Sequence, residues 1–303
     1  MLLKKRTESD ELLTMRCLDT RMQLTEKDKY RYANLERGYD GEVSFDELAK
    51  GYLQEERYVI NDLLLEINNS YFQIDTLVIS QGVIQLLDIK NYHGDFYLES
   101  DKLYAVKTGQ EYKNPVNQLT RSTTLFRQLL QKFKLNFIVD AHVIFINPEF
   151  TLYLAPMDQP IILPTQVKRF LTDMNKIPSK LNDEHLKLAR KLLSLHQAKY
   201  PYSTIPEFTY EQLRKGIYCK RCISLLSTIK NKDIVCEKCG EHEKIEHGVL
   251  RNVNEFKLLF PERKITAQNI YEWCNVDLNK RTISRVLKKN FTTIGNTKDT
   301  YYE

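Results

Sequence analysis

Residues 73–94, QIDTLVISQGVIQLLDIKNYHG, have the pattern of two apolar β-strands joined by a tight turn, yet they carry three full charges. Asp75 lies in the first strand, and Asp88 and Lys90 lie in the second. A buried charge is strongly unfavourable unless it is paired or binds a metal. The segment therefore predicts a buried sheet in which these charges form a compensated polar site.

The register of this hairpin decides whether the charges meet. Residues two apart in a strand share a face, so Asp88 and Lys90 point the same way. A turn at residues 81–82, or a four-residue loop, places Asp75 opposite Asp88, whereas an unbulged three-residue loop sends it to the other face. Two adjacent carboxylates need a cation, and Lys90 alone does not balance them. This pattern favours a divalent metal, and the alternative is a structural ion pair at a sheet edge.

Two flanking helices are expected to bring further polar groups to this patch. An apolar stripe at helical spacing predicts a helix over residues 42–53 that lies on the sheet, with Glu42 on its inward side. Asn114 and Pro115 are typical of a helix start, and they place Gln118 in the first turn of a second helix. The residues of the first stripe are Phe45, Leu48, Ala49 and Tyr52.

The combination of GYDGE (residues 38–42), QIDTLVI, DIKNYHG and NPVNQ resembles the nuclease-related domain, known as NERD, over roughly residues 37–150. That family is placed in the PD-(D/E)xK nuclease class. The resemblance implies an α/β fold with a restriction-endonuclease-like core, in which helices flank a central mixed sheet. It also implies phosphodiester hydrolysis in DNA with Mg²⁺ or Mn²⁺. Two positions depart from the pattern: Ile74 replaces the proline of the class motif, and Asp88 stands where the family more often has glutamate.

By this resemblance, Asp75, Asp88 and the backbone carbonyl of Ile89 would hold the metal, because Mg²⁺ prefers oxygen ligands. Glu42 would bind the metal directly, through water, or at a second ion. The family's active-site positions fall on Glu42, Asp75, Asp88, Lys90 and Gln118.

The two remaining residues of this set have non-metal roles. Lys90 would stabilise the charge that develops on the scissile phosphate, since neighbouring carboxylates raise the pKa of a lysine and make it a poor base. A metal ion opposes that shift, so a role in orienting water stays open. Gln118 would position phosphate or water.

Two CxxC pairs, CKRC and CEKC, are separated by thirteen residues near the C-terminus. Each pair places two thiolates on one tight turn, and two such turns complete a tetrahedral zinc site. Four sulfur ligands leave no position open for water, which predicts a structural zinc ribbon; a redox pair or chance are the alternatives. The four ligands would be Cys219, Cys222, Cys236 and Cys239.

The C-terminal residues predict two short helices followed by a β-hairpin with a turn at residues 295–296. Thr266 is a plausible N-cap of the first helix, and residues 275–277 form the turn between the helices. This order resembles a winged-helix DNA-binding unit. Residues 261–303 carry eight Lys or Arg and five Asp or Glu, which supports phosphate contact. The alternative is a helical packing module with a solvated basic face, and the predicted DNA contacts are Lys280, Arg281, Arg285 and Lys288.

The 303 residues divide by composition into a predicted series of segments. A formal net charge of +5 permits a nucleic-acid partner. No apolar run reaches the length of a membrane span, and no signal-peptide core follows the N-terminus, so we expect a cytoplasmic protein without a membrane partner. The predicted segments are an N-terminal helical segment (1–37), a NERD nuclease-like domain (38–176), a helix and linker (177–208), the zinc ribbon (209–250) and the winged-helix-like domain (251–303).

These parts together predict a divalent-metal-dependent DNA nuclease whose C-terminal modules hold the duplex. A second hypothesis is a catalytically inactive DNA-binding or regulatory adaptor that uses the nuclease-like domain as a scaffold, which the Asp88 variation also suits. A nuclease directed at RNA is a weaker alternative, because the sequence contains no RNA-module signature.

Overall fold

A computed structural model describes the fold at residues 1–53, 56–177, 179–198, 201, 205–226, 228–231, 233–296 and 300–303. The predicted linker over residues 199–208 and the strand connection after residue 296 therefore lie partly outside the described residues. The chain forms two compact units, each built from two separate segments. Unit 1 is Met1–Glu8 with Ala33–Ser203, and unit 2 is Ser9–Tyr32 with Thr204–Glu303.

Unit 1 contains a six-stranded mixed sheet in the order β1-β2-β3-β4-β8-β10 and a four-stranded sheet in the order β7-β6-β5-β9. In the larger sheet β2, β3 and β4 are antiparallel neighbours, whereas β1 pairs parallel with β2, β8 with β4 and β10 with β8. The strands are β1 (Leu2–Lys4), β2 (Tyr58–Ile67), β3 (Ser70–Ile79), β4 (Val83–Lys90), β5 (Gly94–Glu99), β6 (Lys102–Ala105), β7 (Glu111–Tyr112), β8 (Ile138–Phe145), β9 (Phe150–Tyr153) and β10 (Ile161–Ile162).

Helices cover both faces of the larger sheet. Successive residues of its central strands point to opposite faces, and apolar residues lie on both faces. One face packs on the helix that carries Phe45 and on the helix that carries Leu171, whereas the other packs on the helices that carry Phe126 and Leu188. The prediction of a central mixed sheet flanked by helices is confirmed. The helices of the chain up to this point are α1 (Asp10–Arg21), α2 (Glu26–Tyr52), α3 (Pro115–Lys132), α4 (Val167–Met174) and α5 (Asp183–Ser194), and a 3₁₀ turn (Pro164–Gln166) precedes α4.

Helix α2 begins much earlier than the sequence predicted. The expected helix over residues 42–53 is the last part of a helix that starts at Glu26, so Gly38 and Gly41 lie inside it. Gly41 is buried, and a Cβ atom at this position would lie 2.5 Å from Cβ of Asn91, which directly follows β4. A glycine that weakens an isolated helix thus allows α2 to pack closely against the end of β4.

Unit 2 contains α1, three small sheets and three C-terminal helices. A two-stranded sheet and a three-stranded sheet carry the cysteine pairs, and the last sheet is a short hairpin whose strand β17 also bridges Ile265 through Tyr302. Its strands are β11 (Ile217–Tyr218), β12 (Leu225–Leu226), β13 (Thr228–Lys230), β14 (Asp233–Val235), β15 (His242–Lys244), β16 (Thr293–Ile294) and β17 (Tyr301–Tyr302), and its helices after α1 are α6 (Ile245–Leu259), α7 (Ala267–Cys274) and α8 (Lys280–Asn290).

The two predicted C-terminal helices are confirmed as α7 and α8. Thr266 caps α7 by accepting a hydrogen bond from Asn269 N at 3.1 Å, and Asn275 ends the helix in the left-handed conformation. Helix α6 was not predicted, and it runs across the predicted division between residues 250 and 251. Among the described residues, no helix is both long enough and apolar enough to cross a membrane.

Candidate active site and cysteine cluster

The β3–β4 hairpin has a two-residue turn at residues 81–82, one of the two loop lengths that would place Asp75 opposite Asp88. Ser80 N donates to Val83 O at 2.9 Å, and Gly82 has a φ of 76°, which glycine adopts without strain. The paired residues run from Ile79 opposite Ile84 to Thr76 opposite Leu87, and one further step in this register brings Asp75 opposite Asp88. Both aspartates are buried and line the same small cavity.

Asp75 lies where β3 stops pairing with β4. Its Oδ2 atom accepts a hydrogen bond of 2.8 Å from Ile89 N, so the carboxylate satisfies a backbone donor of β4. This contact involves the amide of Ile89, whereas the predicted metal ligand is its carbonyl oxygen, whose role stays a prediction. Ser122 of α3 lines the same cavity as the two aspartates.

Asp88, Lys90 and Gln118 form one directly bonded group on the α3 side of the sheet. Lys90 Nζ lies 3.0 Å from Asp88 Oδ1 and 2.8 Å from Asp88 Oδ2. Gln118 Nε2 donates to Asp88 Oδ1 at 3.3 Å, and Lys90 Nζ donates to Gln118 Oε1 at 3.5 Å. Asn114 caps α3 by accepting from Val116 N at 2.9 Å, and this cap begins the helix where Gln118 can reach β4.

Glu42 projects from α2, which packs on the opposite face of the sheet. Its Oε2 atom accepts a hydrogen bond of 2.6 Å from Nη1 of Arg6, and its side chain is 19% exposed. Glu42 is therefore largely buried, and its carboxylate bonds to Arg6 rather than to the group of Asp88, Lys90 and Gln118. Arg6 Nη2 also donates to the backbone oxygen of Asp75 at 3.1 Å. This hydrogen bond links the Arg6–Glu42 pair to the strand that carries Asp75.

The electrostatics of the site reflect an excess of buried negative charge. Burial raises the pKa of Glu42 to about 8, the charge of Asp75 adds to this shift, and Arg6 opposes it. Burial likewise raises the pKa of Asp88 to about 7, against the effect of Lys90 and with that of Asp75. Burial lowers the pKa of Lys90, but the charges of Asp88 and Asp75 outweigh it, so the net shift is upward as predicted.

The donor chemistry of these carboxylates fits a hard divalent ion, although their oxygens are not gathered into a closed cage. All the side-chain ligands are oxygens, and the buried Asp88 Oδ2 lies 2.8 Å from Lys90 Nζ. Within the described part of the chain, the one group of three or more His, Cys, Asp or Glu whose ligand atoms all lie within 4.8 Å of each other is the four cysteines. The residues that would hold the ion are Asp75 and Asp88, with Glu42 nearby.

The sequence analysis missed three residues of this region, Arg6, Asp46 and Asp62. Arg6 forms ion pairs with Asp46 at 2.9 Å and with Asp62 at 2.7 Å in addition to Glu42. The usable signal was that Glu42 and Asp46 are four residues apart on one helix face, where like charges repel unless a cation lies between them. Nothing local identified Arg6 as that cation.

The Sγ atoms of the four cysteines all lie within 4.8 Å of one another, close enough to be ligands of one metal ion. The Sγ atoms of Cys219 and Cys239 are 3.6 Å apart, and those of Cys222 and Cys236 are 3.5 Å apart. Zn–S bonds of about 2.3 Å in a tetrahedron separate the sulfurs by about 3.8 Å. The cluster could therefore hold Zn²⁺. Ser224, which the sequence analysis did not single out, lies with Oγ 2.9 Å from Cys222 Sγ.

The predicted DNA contacts lie on one exposed side of α8. Ile283, Val286 and Leu287 are buried on the other side of the same helix. Asn279 begins α8 by accepting from Arg281 N at 2.8 Å. The exposed residues are Lys280, Arg281, Arg285 and Lys288.

Comparison with known proteins supports a nuclease-related assignment for part of the chain. The family model described as "Nuclease-related domain" (NERD) matches residues 37–146, a segment that includes every predicted active-site position. This match points to a nuclease-like function and to nucleic acid as a partner. The match and the four-cysteine cluster agree with the resemblance found in the sequence.

A search of solved structures gives a distant likeness to the crystal structure of protein VC1899 from Vibrio cholerae. The two chains are 10% identical with a TM-score of 0.22, over 55% of this chain and 49% of that chain. The chain thus spans about half the length of that protein, and a likeness at this level carries no conclusion about function. No curated protein matches the chain.

Proposed function

We propose that this protein is a divalent-metal-dependent DNA nuclease of the PD-(D/E)xK class. The observation that supports it best is the register of β3 and β4, which brings Asp75 and Asp88 beside one small cavity, with Lys90 and Gln118 in contact with Asp88. This group lies within the segment that matches the nuclease-related family. A buried pair of carboxylates with too little positive charge is an arrangement that a divalent cation would complete.

The proposed role of each residue follows from its contacts. Asp75 and Asp88 would hold Mg²⁺ or Mn²⁺, and the chemistry such an ion supplies when bound is charge neutralisation at phosphate and acidification of a bound water. Lys90 stays protonated because the two aspartates raise its pKa, so its ammonium donates to a phosphate oxygen as negative charge develops. Gln118 holds Asp88 and Lys90 in place and presents its amide to phosphate or water.

Plasmid DNA incubated with the purified full-length protein tests this proposal. We expect cleavage in the presence of Mg²⁺ or Mn²⁺, none with a chelator, and a rate that falls by about 10²–10³-fold in Lys90→Ala, as for loss of one transition-state donor. Lys102→Ala is the matched control, because Lys102 is an exposed lysine of the same unit that pairs with Glu111. Cleavage that persists at full rate in Lys90→Ala would rule out this site.

A second candidate is an adaptor that binds DNA without cutting it. The observation that favours it is that Glu42 is already bonded to Arg6 and Asp88 to Lys90, so each carboxylate has a protein cation. In that case the group is a structural ion-pair network. DNA retardation without cleavage, unchanged by Lys90→Ala, would support the adaptor.

The C-terminal helices are proposed to hold the DNA as a winged-helix unit. Helices α6, α7 and α8 are followed by the β16–β17 hairpin, and Ile265 bridges to Tyr302 beside it. This order resembles winged-helix proteins, in which the last helix enters the major groove. The basic side of α8 would then contact phosphates. A cytoplasmic location is part of the proposal, because four of the six cysteines gather in one possible metal cluster rather than in disulfides.

Fluorescence anisotropy with a labelled duplex tests this DNA contact. We expect Arg285→Ala and Lys288→Ala each to weaken binding and to lower the slope of log K against log salt by about 1, because each would remove one phosphate contact. Lys257→Ala, an exposed lysine on α6, serves as the control. Equal effects of all three substitutions would contradict a specific role for α8.

The cysteine cluster is proposed to bind one structural Zn²⁺. Its four positions are all sulfur, so a bound ion has no open site for substrate or water. The zinc would then contribute folding free energy to the small sheets that carry the cysteine pairs.

A further inference from the structure

Arg6 uses its whole guanidinium group inside unit 1. Its side chain is 3% exposed, and Nε and Nη2 bind the two carboxylate oxygens of Asp46 at 2.9 and 3.0 Å. Nη1 donates to Glu42 at 2.6 Å and to Asp62 at 2.7 Å. Nη2 also donates to Asp75 O and to Thr76 Oγ1. Each nitrogen of the planar guanidinium therefore has its N–H groups directed at acceptors.

The position of Arg6 is that of a cation surrounded by oxygen ligands. Three carboxylates and two further oxygens converge on one buried positive charge, which is the surrounding that a hard metal ion would require. Arginine keeps its charge under all ordinary conditions and matches carboxylates through two parallel hydrogen bonds. Asn61 Nδ2 also donates to Asp46 Oδ2 at 3.0 Å, so the carboxylate is held in place from a second side.

The two halves of the candidate site therefore differ in how their charge is balanced. On the α3 side, Lys90 Nζ contacts both carboxylate oxygens of Asp88, whereas the carboxylate of Asp75 accepts from the backbone amide of Ile89. On the α2 side, Glu42 already faces a fully bonded guanidinium. A divalent ion can enter the first half beside Asp75 with a shift of the flexible Lys90 side chain, whereas entry into the second half would require expulsion of the fully bonded Arg6.

We propose that Arg6 is a resident cation that takes the place of a second metal ion among Glu42, Asp46 and Asp62, so that the site binds a single divalent ion beside Asp75 and Asp88. This inference rests on the proposed metal-dependent function and specifies its metal stoichiometry. Arg6 acts through Glu42 and is therefore a positioning residue.

Counting bound Mn²⁺ on the zinc-loaded full-length protein tests the inference without measuring cleavage. The electron paramagnetic resonance signal reports free Mn²⁺, and subtraction from the total Mn²⁺ gives the number of bound ions. We expect one ion in the wild type, none in Asp88→Asn, and two in Arg6→Gln, because the neutral amide leaves three carboxylates without a cation. The double variant Arg6→Gln with Asp46→Asn should return the count to one.

Each result has a defined meaning. Two ions in the wild type, or one in Arg6→Gln at unchanged affinity, would overturn the role of Arg6 while leaving the nuclease proposal intact. No bound ion in the wild type would overturn the metal site and this inference together. If Arg6→Gln does not fold, as judged by circular dichroism, Arg6→Lys takes its place: a count of one supports a resident cation, and a count of two overturns it.

Discussion

Gly41 shows how a single missing side chain determines the shape of the candidate site. It lies in the middle of α2, one residue before Glu42, where its backbone meets the side chain of Asn91. Asn91 directly follows Lys90, and its Nδ2 donates to Arg37 O of the same helix at 2.8 Å. The close approach therefore fixes Glu42 relative to the end of β4.

Alanine substitutions at two glycines of α2 separate this packing role from helix propensity. Gly41→Ala places a Cβ atom 2.5 Å from Cβ of Asn91, and we expect a loss of about 1–3 kcal/mol of unfolding free energy from overpacking. Gly38→Ala meets no atom within 4 Å, so it should stabilise the protein by about 0.5–1 kcal/mol. Urea denaturation measures both, and equal signs for the two variants would contradict the packing argument.

At the scale of elements, the side chain of Asp75 stabilises the β3–β4 pair where its backbone hydrogen bonds end. Ile89 N is satisfied by the carboxylate of Asp75. Asp75 thus has a structural role in addition to its proposed role in metal binding. The same carboxylate raises the pKa of both Glu42 and Asp88, so it also contributes repulsion.

Two substitutions at Asp75 distinguish these effects in the absence of divalent metal. Asp75→Ala leaves a buried amide donor unpaired, which costs about 1–3 kcal/mol, whereas Asp75→Asn keeps an oxygen acceptor. Both variants remove the repulsion, so the difference between their unfolding free energies reports the hydrogen bond together with the packing of the amide side chain. We expect Asp75→Asn to be the more stable variant in chemical denaturation. Equal stability would mean that the Ile89 amide finds another acceptor.

The parts of unit 1 that sequence could predict are those encoded locally. Strand alternation placed Asp88 and Lys90 on one face but left the hairpin register open between loop lengths, whereas Asn114 with Pro115 predicted the start of α3. The start of α2 was predicted wrongly, because Gly38 and Gly41 lower intrinsic helix propensity and a tertiary contact compensates for this. Arg6 was missed because 36 residues separate it from Glu42, a distance over which pattern gives no information.

On the scale of the whole molecule, the chain does not divide into consecutive segments. Residues 1–8 belong to unit 1 and residues 9–32 to unit 2, and both stretches fall within the predicted N-terminal segment of residues 1–37. Such an arrangement is invisible to local periodicity, because the contacts that define it join distant parts of the chain. Arg21 of α1 and Glu255 of α6 are 234 residues apart.

Arg21 is the clearest of these long-range contacts within unit 2. Its side chain is fully buried and binds Glu255 through Nε and Nη2, each at 2.6 Å. It also donates to Asn252 Oδ1 at 3.1 Å, and its Cζ lies 4.1 Å from the ring centroid of Trp273. A buried ion pair of this kind is costly to break on one side, since the remaining charge has no partner.

We therefore expect Arg21→Met to destabilise unit 2 by about 3–5 kcal/mol, because Glu255, whose side chain is only 14% exposed, loses its cation. The double variant Arg21→Met with Glu255→Met should lose less than the sum of the two single losses. Lys29→Met is the matched control, since Lys29 pairs with Glu26 at the surface of the same unit and such pairs contribute about 0–1 kcal/mol. Denaturation followed by Trp273 fluorescence measures all four proteins, and additive single losses would show that the pair does not couple α1 to α6.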